Sequence, residues 1–106
     1  MSVTSSSTEF VLAGDLSIRC IAEVATRLKG ALSDSDSLVI RFGDVSDLDL
    51  TTVQLLEAAR KSAHQRNGRL TLSEPAHGDL LTLLQRGGFI APGDTNRRDF
   101  WLHEAN

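Results

Sequence analysis

The stretch GDVSDLDLTT, residues 43–52, packs Asp44, Asp47, Asp49, Thr51 and Thr52 into one short run. Carboxylates at that density could work as an acid/base pair or hold magnesium. A simpler account also covers them. Aspartate is a good turn residue, and a negative charge near a helix start is favourable by roughly 0.3 to 1 kcal/mol when exposed. The two threonines are helix-cap residues by type, and Thr51 with Gln54 fits the Ser/Thr-x-x-Glu/Gln capping box, so Thr51 is the expected N-cap. A hydroxyl at a helix N-terminus can also accept a phosphate, because the free N–H groups and the helix dipole favour the anion there.

Other reactive side chains are poorly placed for chemistry. His64, His77 and His103 have no i, i+4 spacing to another ligand type, so no metal site is expected. Cys20 sits beside an apolar stripe, where a thiol packs more often than it reacts. Phosphate-binding glycine loops, dinucleotide fingerprints and nucleophile elbows are all missing. No catalytic residue and no cofactor is expected.

The threonines stand between two elements. Leu38, Val39, Ile40 and Phe42, interrupted by Arg41 and ended by Gly43, predict a strand buried on both faces. Val53, Leu56, Ala59 and Ala63 then recur at helical spacing, with Arg60, Lys61 and Gln65 left for solvent. Before this unit, residues 9–13 predict a short strand ended by Gly14 and Asp15, followed by a helix capped by Asp15 or Ser17. The buried stripe of that helix is expected to be Ile18, Ile21, Val24, Ala25, Leu28 and Leu32. After the unit, Asn67 and Gly68 end the second helix, with Gly68 at the left-handed position. Residues 69–73 alternate as a strand closed by Pro75. Residues 77–85 form a third helix with Leu80, Leu83 and Leu84 inward, stopped by Gly87 and Gly88. A loop is expected over residues 90–99, and Phe100, Trp101 and Leu102 are expected as an edge strand or packed against a helix. Alternation of this kind predicts an α/β fold with a largely parallel sheet and helices covering at least one face, with an antiparallel short first strand as an option.

At 106 residues the chain has the size of one domain. A formal net charge of -3 gives no electrostatic reason to expect nucleic acid. A single cysteine cannot close an internal bridge, and no apolar segment follows a basic start, so a cytoplasmic protein is expected. No apolar run approaches the ~20 residues of a membrane span, and direct membrane insertion is not expected.

Asp49-Leu50-Thr51-Thr52-Val53-Gln54-Leu55-Leu56, set between a strand and a helix, resembles the signature of STAS domains, the anti-sigma-factor antagonist family. Gly14-Asp15-Leu16, Gly68-Arg69-Leu70, and Leu83-Leu84 with Gly88-Phe89 are similar to further family motifs, so the likeness spans roughly residues 9–90. The closing Phe100-Trp101-Leu102 is similar to small STAS proteins found with chemotaxis systems. The polar, small and aperiodic opening is expected to be a disordered lead over residues 1–8, and the resemblance implies a single STAS-like domain over residues 9–104 after it. Its sheet would be mostly parallel but mixed, with about four to five strands.

Aligned on Asp49 and Val53, Thr51 falls on the family's phosphoacceptor position. The implied role is a non-catalytic interaction module of a bacterial signalling pathway. Its partner would be an anti-sigma-like Ser/Thr kinase or a chemotaxis protein, met through Asp47, Asp49, Leu50, Thr51, Thr52 and Gln54. The resemblance also implies an alternative, a non-catalytic subunit of an ABC-type lipid-transport complex at the inner membrane. Two departures stand at the site: Leu50 replaces a small residue and Thr52 stands where glycine is usual, and both are expected to enlarge the surface.

Overall fold

Leu38 and Ile40 have no exposed surface, and the sheet is built around them. They lie in β2 (Ser37–Asp47), the middle strand between β1 (Thr8–Asp15) and β3 (Arg69–Leu72). The computed structural model describes residues 8–104, so most of the expected N-terminal lead falls outside the described residues, while Thr8 opens β1. Both strand pairs are parallel. Each therefore needs a crossover, which α1 (Ile21–Asp34) and α2 (Leu50–Gln65) supply. α3 (Gly78–Gly87) and α4 (Thr95–Leu102) follow.

The helices pack on one face of the sheet. Leu12, Leu16, Leu38, Ile40, Leu70 and Leu72 meet Val24, Leu28, Val53, Leu56, Leu80 and Leu84 in a single core. Residues of opposite parity, Glu9, Val11, Ala13, Arg41 and Gly43, are exposed. β2 is thus covered on one side only, and the interrupting Arg41 lies on the open side, 3.7 Å from Glu9 of β1. The expected burial on both faces fails because α1 and α2 deliver their apolar stripes to the same side.

Several boundaries also differ from expectation. Among the described residues the sheet has three strands, all parallel, where a mixed sheet of four or five, with an antiparallel first strand as an option, was expected. The missing terminal strand is α4: Asp94 accepts a hydrogen bond from the Arg97 amide at 3.1 Å and starts a helix inside the stretch expected to be loop. Asn67, with φ 62, takes the left-handed position after α2. Gly68 is needed for a different reason, since a Cβ there would lie 2.9 Å from the Asp36 carbonyl oxygen. Gly88, with φ 72, ends α3 as expected. α1 begins only at Ile21, which leaves Ile18 in the preceding turn and 67% exposed.

α4 is fastened to α2 through Glu57, a carboxylate that the helical pattern did not single out. Its side chain is buried and accepts from Trp101 Nε1 at 2.7 Å, from Arg60 at 2.8 Å and from Arg97 at 3.4 Å. Burial alone pushes the Glu57 pKa up, but the Trp101 hydrogen bond and the two guanidinium groups outweigh it and hold it below the ordinary glutamate value. Arg60, expected in solvent, is drawn inward by this bond and lies over the Phe100 ring, 5.7 Å from its centroid. Because the folded pKa is depressed, this contribution is complete above the unfolded value near ~4.3 and fades as pH falls through the folded one. Replacing Trp101 with Phe keeps most of the buried ring but removes the indole donor. Trp101→Phe is expected to cost about 1.5 to 3 kcal/mol at pH 7, read from urea unfolding followed by circular dichroism. An unchanged midpoint would show that the bond holds nothing.

Candidate functional site

Extra residues in the last part of β2, opposite the end of β1, set up the site. Gly14 sits at φ 78, and the register between β1 and β2 slips on either side of it. Asp15 is thereby brought opposite Asp47. Two carboxylates side by side would repel, and Arg19 lies against both, 3.0 Å from Asp15 and 3.1 Å from Asp47. Hydrogen bonds from Ser17, then the Arg19 guanidinium, hold Asp15 down to a pKa of about 2. The chain leaving β1 is a turn built on side chains: the Ser17 amide donates to Asp15 and the Arg19 amide to the Ser17 hydroxyl. Neither Asp15 nor Ser17 caps α1, whose first turn has no side-chain cap.

The second half of the site is the start of α2. Asp49, rather than Thr51, is the N-cap, and its capping-box partner is Thr52. The Asp49 carboxylate accepts from the Thr51 amide at 3.0 Å, and the Thr51 hydroxyl donates to the same oxygen, Oδ1. Its other oxygen reaches across to the first loop and accepts from the Ile18 amide at 3.0 Å. The Thr51 hydroxyl first, then the Ile18 amide and the α2 amides, keep the Asp49 pKa below the usual carboxylate range. Asp49 is therefore a fixed anion that clamps two loops, and Gln54 is not part of the cap.

The two threonines have separate jobs. Thr52 is buried, donates its hydroxyl to the Leu16 carbonyl at 2.6 Å and accepts from the Asp49 amide at 3.3 Å. Its side chain is withdrawn into the joint, so it does not enlarge the surface as expected. Thr51 is half-buried, and its hydroxyl is bonded to Asp49 within the same joint. Around it Leu50 is 42% exposed, leaning near Gly87 at the end of α3, and Gln54 is exposed. Ile18 and Arg19 complete this surface. Sequence patterning missed them because Ile18 fits the spacing of α1; the signal against it was the pair of turn-forming side chains, Asp15 and Ser17, just upstream.

Asp44 does not join Asp49. It lies within β2 and, with Asp47, lines a groove of about 420 Å³ that also takes in Glu74, His77 and Asp79. Among the described residues no group of three or more histidine, cysteine or acidic side chains is arranged to hold a metal ion. No described helix is long and apolar enough to cross a membrane.

A family model described as "Mlab, STAS domain" matches residues 2–90. The chain belongs to the STAS family. Among solved structures it is similar to the anti-sigma factor antagonist SpoIIAA in its unphosphorylated form, with a TM-score of 0.60 and 18% sequence identity. That match covers 83% of this chain and 77% of the other, and it carries the fold. No curated protein matches the chain. In this STAS domain α4 lies beyond the stretch that the family model matches.

Two measurements separate the roles at the joint. Thr52→Val leaves the buried Leu16 carbonyl without its donor and is expected to cost about 1 to 3 kcal/mol in urea unfolding, with Thr51→Ala costing less. Asp49 has a depressed folded pKa, so its contribution is complete above about 3.9 and disappears as pH falls through the folded value. Wild type and Asp49→Asn should differ in urea midpoint at neutral pH and converge in acid. A gap that stays constant down to the acid limit would remove Asp49 as the clamp.

Proposed function

We propose that this STAS domain is a non-catalytic protein-interaction module of a cytoplasmic bacterial signalling pathway, acting like an anti-sigma-factor antagonist. Its partner, a Ser/Thr kinase of the anti-sigma type or a chemotaxis signalling protein, docks on the surface formed by Ile18, Arg19, Asp47, Leu50, Thr51 and Gln54. The observation that carries this reading is the contrast between the two threonines. Thr52 is committed to the fold, while Thr51 is half-buried and its hydroxyl bonds the Asp49 carboxylate, which also holds the neighbouring loop.

Phosphorylation of Thr51 would replace that hydroxyl donor with a group carrying about -2 charge and place it against the Asp49 anion. Repulsion would act on the clamp itself, loosening its hold on Ile18, and the added charge would reject a partner selected for the neutral surface. A second reading uses the same surface as a permanent seat on the ATPase of a lipid-transport complex, with Thr51 as a contact. The apolar pair Ile18 and Leu50 favours it, since exposed side chains of this type suit an interface that stays closed.

Affinity capture from the native cell, followed by titration of the recovered partner, separates the two. For a switch, Thr51→Ala should bind like wild type and Thr51→Asp at least about tenfold more weakly, with both variants first shown to be folded. Mass spectrometry of the Thr51 peptide should find phosphate. Equal affinity of the two variants, with a transport ATPase as the recovered partner, would support the permanent seat instead.

A further inference from the structure

The Phe89 ring stands between the proposed docking surface and α4. Its amide is turned back onto the Leu84 carbonyl at 3.0 Å, so the end of α3 fixes its backbone. A side chain at Gly87 would put its first carbon 2.7 and 2.8 Å from two ring carbons of Phe89, closer than packed carbons stand. The ring therefore occupies the space that residue 87 leaves by being glycine. The same point is 3.5 Å from Leu50 Cδ1, an ordinary contact distance, so Leu50 and Phe89 converge on one corner of α3.

The ring is held from α4 as well. The Arg97 guanidinium lies over it, 5.4 Å from its centroid and within cation–π range. That guanidinium also bonds Glu57 at 3.4 Å and pairs with Asp94, the N-cap of α4, at 3.6 Å. The stack on Phe89 thus belongs to the contacts that fasten α4 to α2. Two routes join Leu50 to this fastening. One is the α2 backbone, about two turns from Leu50 to Glu57. The other runs through the side chains of Phe89 and Arg97. A regular helix capped at Asp49 passes on little of a side-chain movement at its first residue, whereas the corner at Gly87 has no slack to absorb one.

We propose that Phe89 links the docking surface to α4, so that moving the Leu50 side chain changes how firmly α4 is attached. This rests on the reading of Leu50 as a partner contact. A partner that draws Leu50 into its own pocket removes one support of the ring, the ring shifts on Gly87, and Arg97 loses its seat. Docking and the attachment of α4 then oppose each other. The opposition is reciprocal, and a chain with a looser α4 docks more readily.

The test is amide hydrogen exchange on the full chain without a partner. The reporters are the Arg98 and His103 amides, bonded to the Asp94 and Asp99 carbonyls, with the amides of α1 as reference. Leu50→Ala should speed exchange of the reporters at least about threefold relative to α1. Phe89→Leu, which keeps apolar bulk but gives Arg97 no ring face, should do the same, as should Gly87→Ala, which pushes the ring away. In the double variant Leu50→Ala/Phe89→Leu, the Leu50 change should add nothing further. The docking reading is judged in a different experiment, the partner titration, so the two failures are told apart. No rise in Leu50→Ala, an equal rise in α1 and α4, or an undiminished Leu50→Ala effect in the Phe89→Leu background would each overturn the link.

Discussion

Everything at the proposed interface depends on the joint between the exit of β1 and the start of α2. A parallel sheet brings these two loops to the same edge but gives them no backbone ladder of their own. The connection is made by one backbone bond and by short side chains. The Leu16 amide donates to the Asp47 carbonyl at 2.8 Å, the Thr52 hydroxyl to the Leu16 carbonyl, and the Ile18 amide to Asp49. A hydroxyl or carboxylate on a one- or two-carbon stem loses little entropy when fixed, so it can set loop positions more closely than a long salt bridge could. Asp49 is the most heavily used of these groups, because the same carboxylate stops α2 from fraying and holds the neighbouring loop.

The opposite end is governed by a buried charge. Glu57 is tolerated because three donors surround it, and two of them, the Trp101 indole and the Arg97 guanidinium, come from α4 and fix where that helix docks. A fully apolar contact could have been as stable. What Glu57 adds is direction, since Arg60 and Arg97 converge on one of its oxygens and Trp101 takes the other.

Much of this fold was legible in the order of elements. The three helices and three strands up to residue 87 follow from apolar periodicity and glycine stops, and the motif around Asp49 to Leu56 pointed to the STAS family that the chain belongs to. The errors have physical causes. Phe100-Trp101-Leu102 is an apolar run too short for periodicity to separate strand from helix, and the deciding partner, Glu57, is distant in sequence. Thr51 and Asp49 are both good cap residues two positions apart, and the choice fell to Asp49 because Thr52 was also needed by the Leu16 carbonyl. Ile18 fitted a helical stripe, yet the local hydrogen bonds of Asp15 and Ser17 delayed the helix past it. The continuous apolar run Leu38, Val39, Ile40 and Phe42 reads as buried on both faces, and nothing within the run tells that both crossover helices lie on one side of the sheet.

The chain contains one tryptophan and no tyrosine. Trp101 is fully buried, edge-on to Phe100 at 4.9 Å between ring centroids, with its N–H given to a carboxylate. Nearly all ultraviolet emission of the protein therefore originates at a single point, the seam between α4 and α2. The molecule carries its own optical gauge of that seam, one that responds to the attachment of the last helix with no label added.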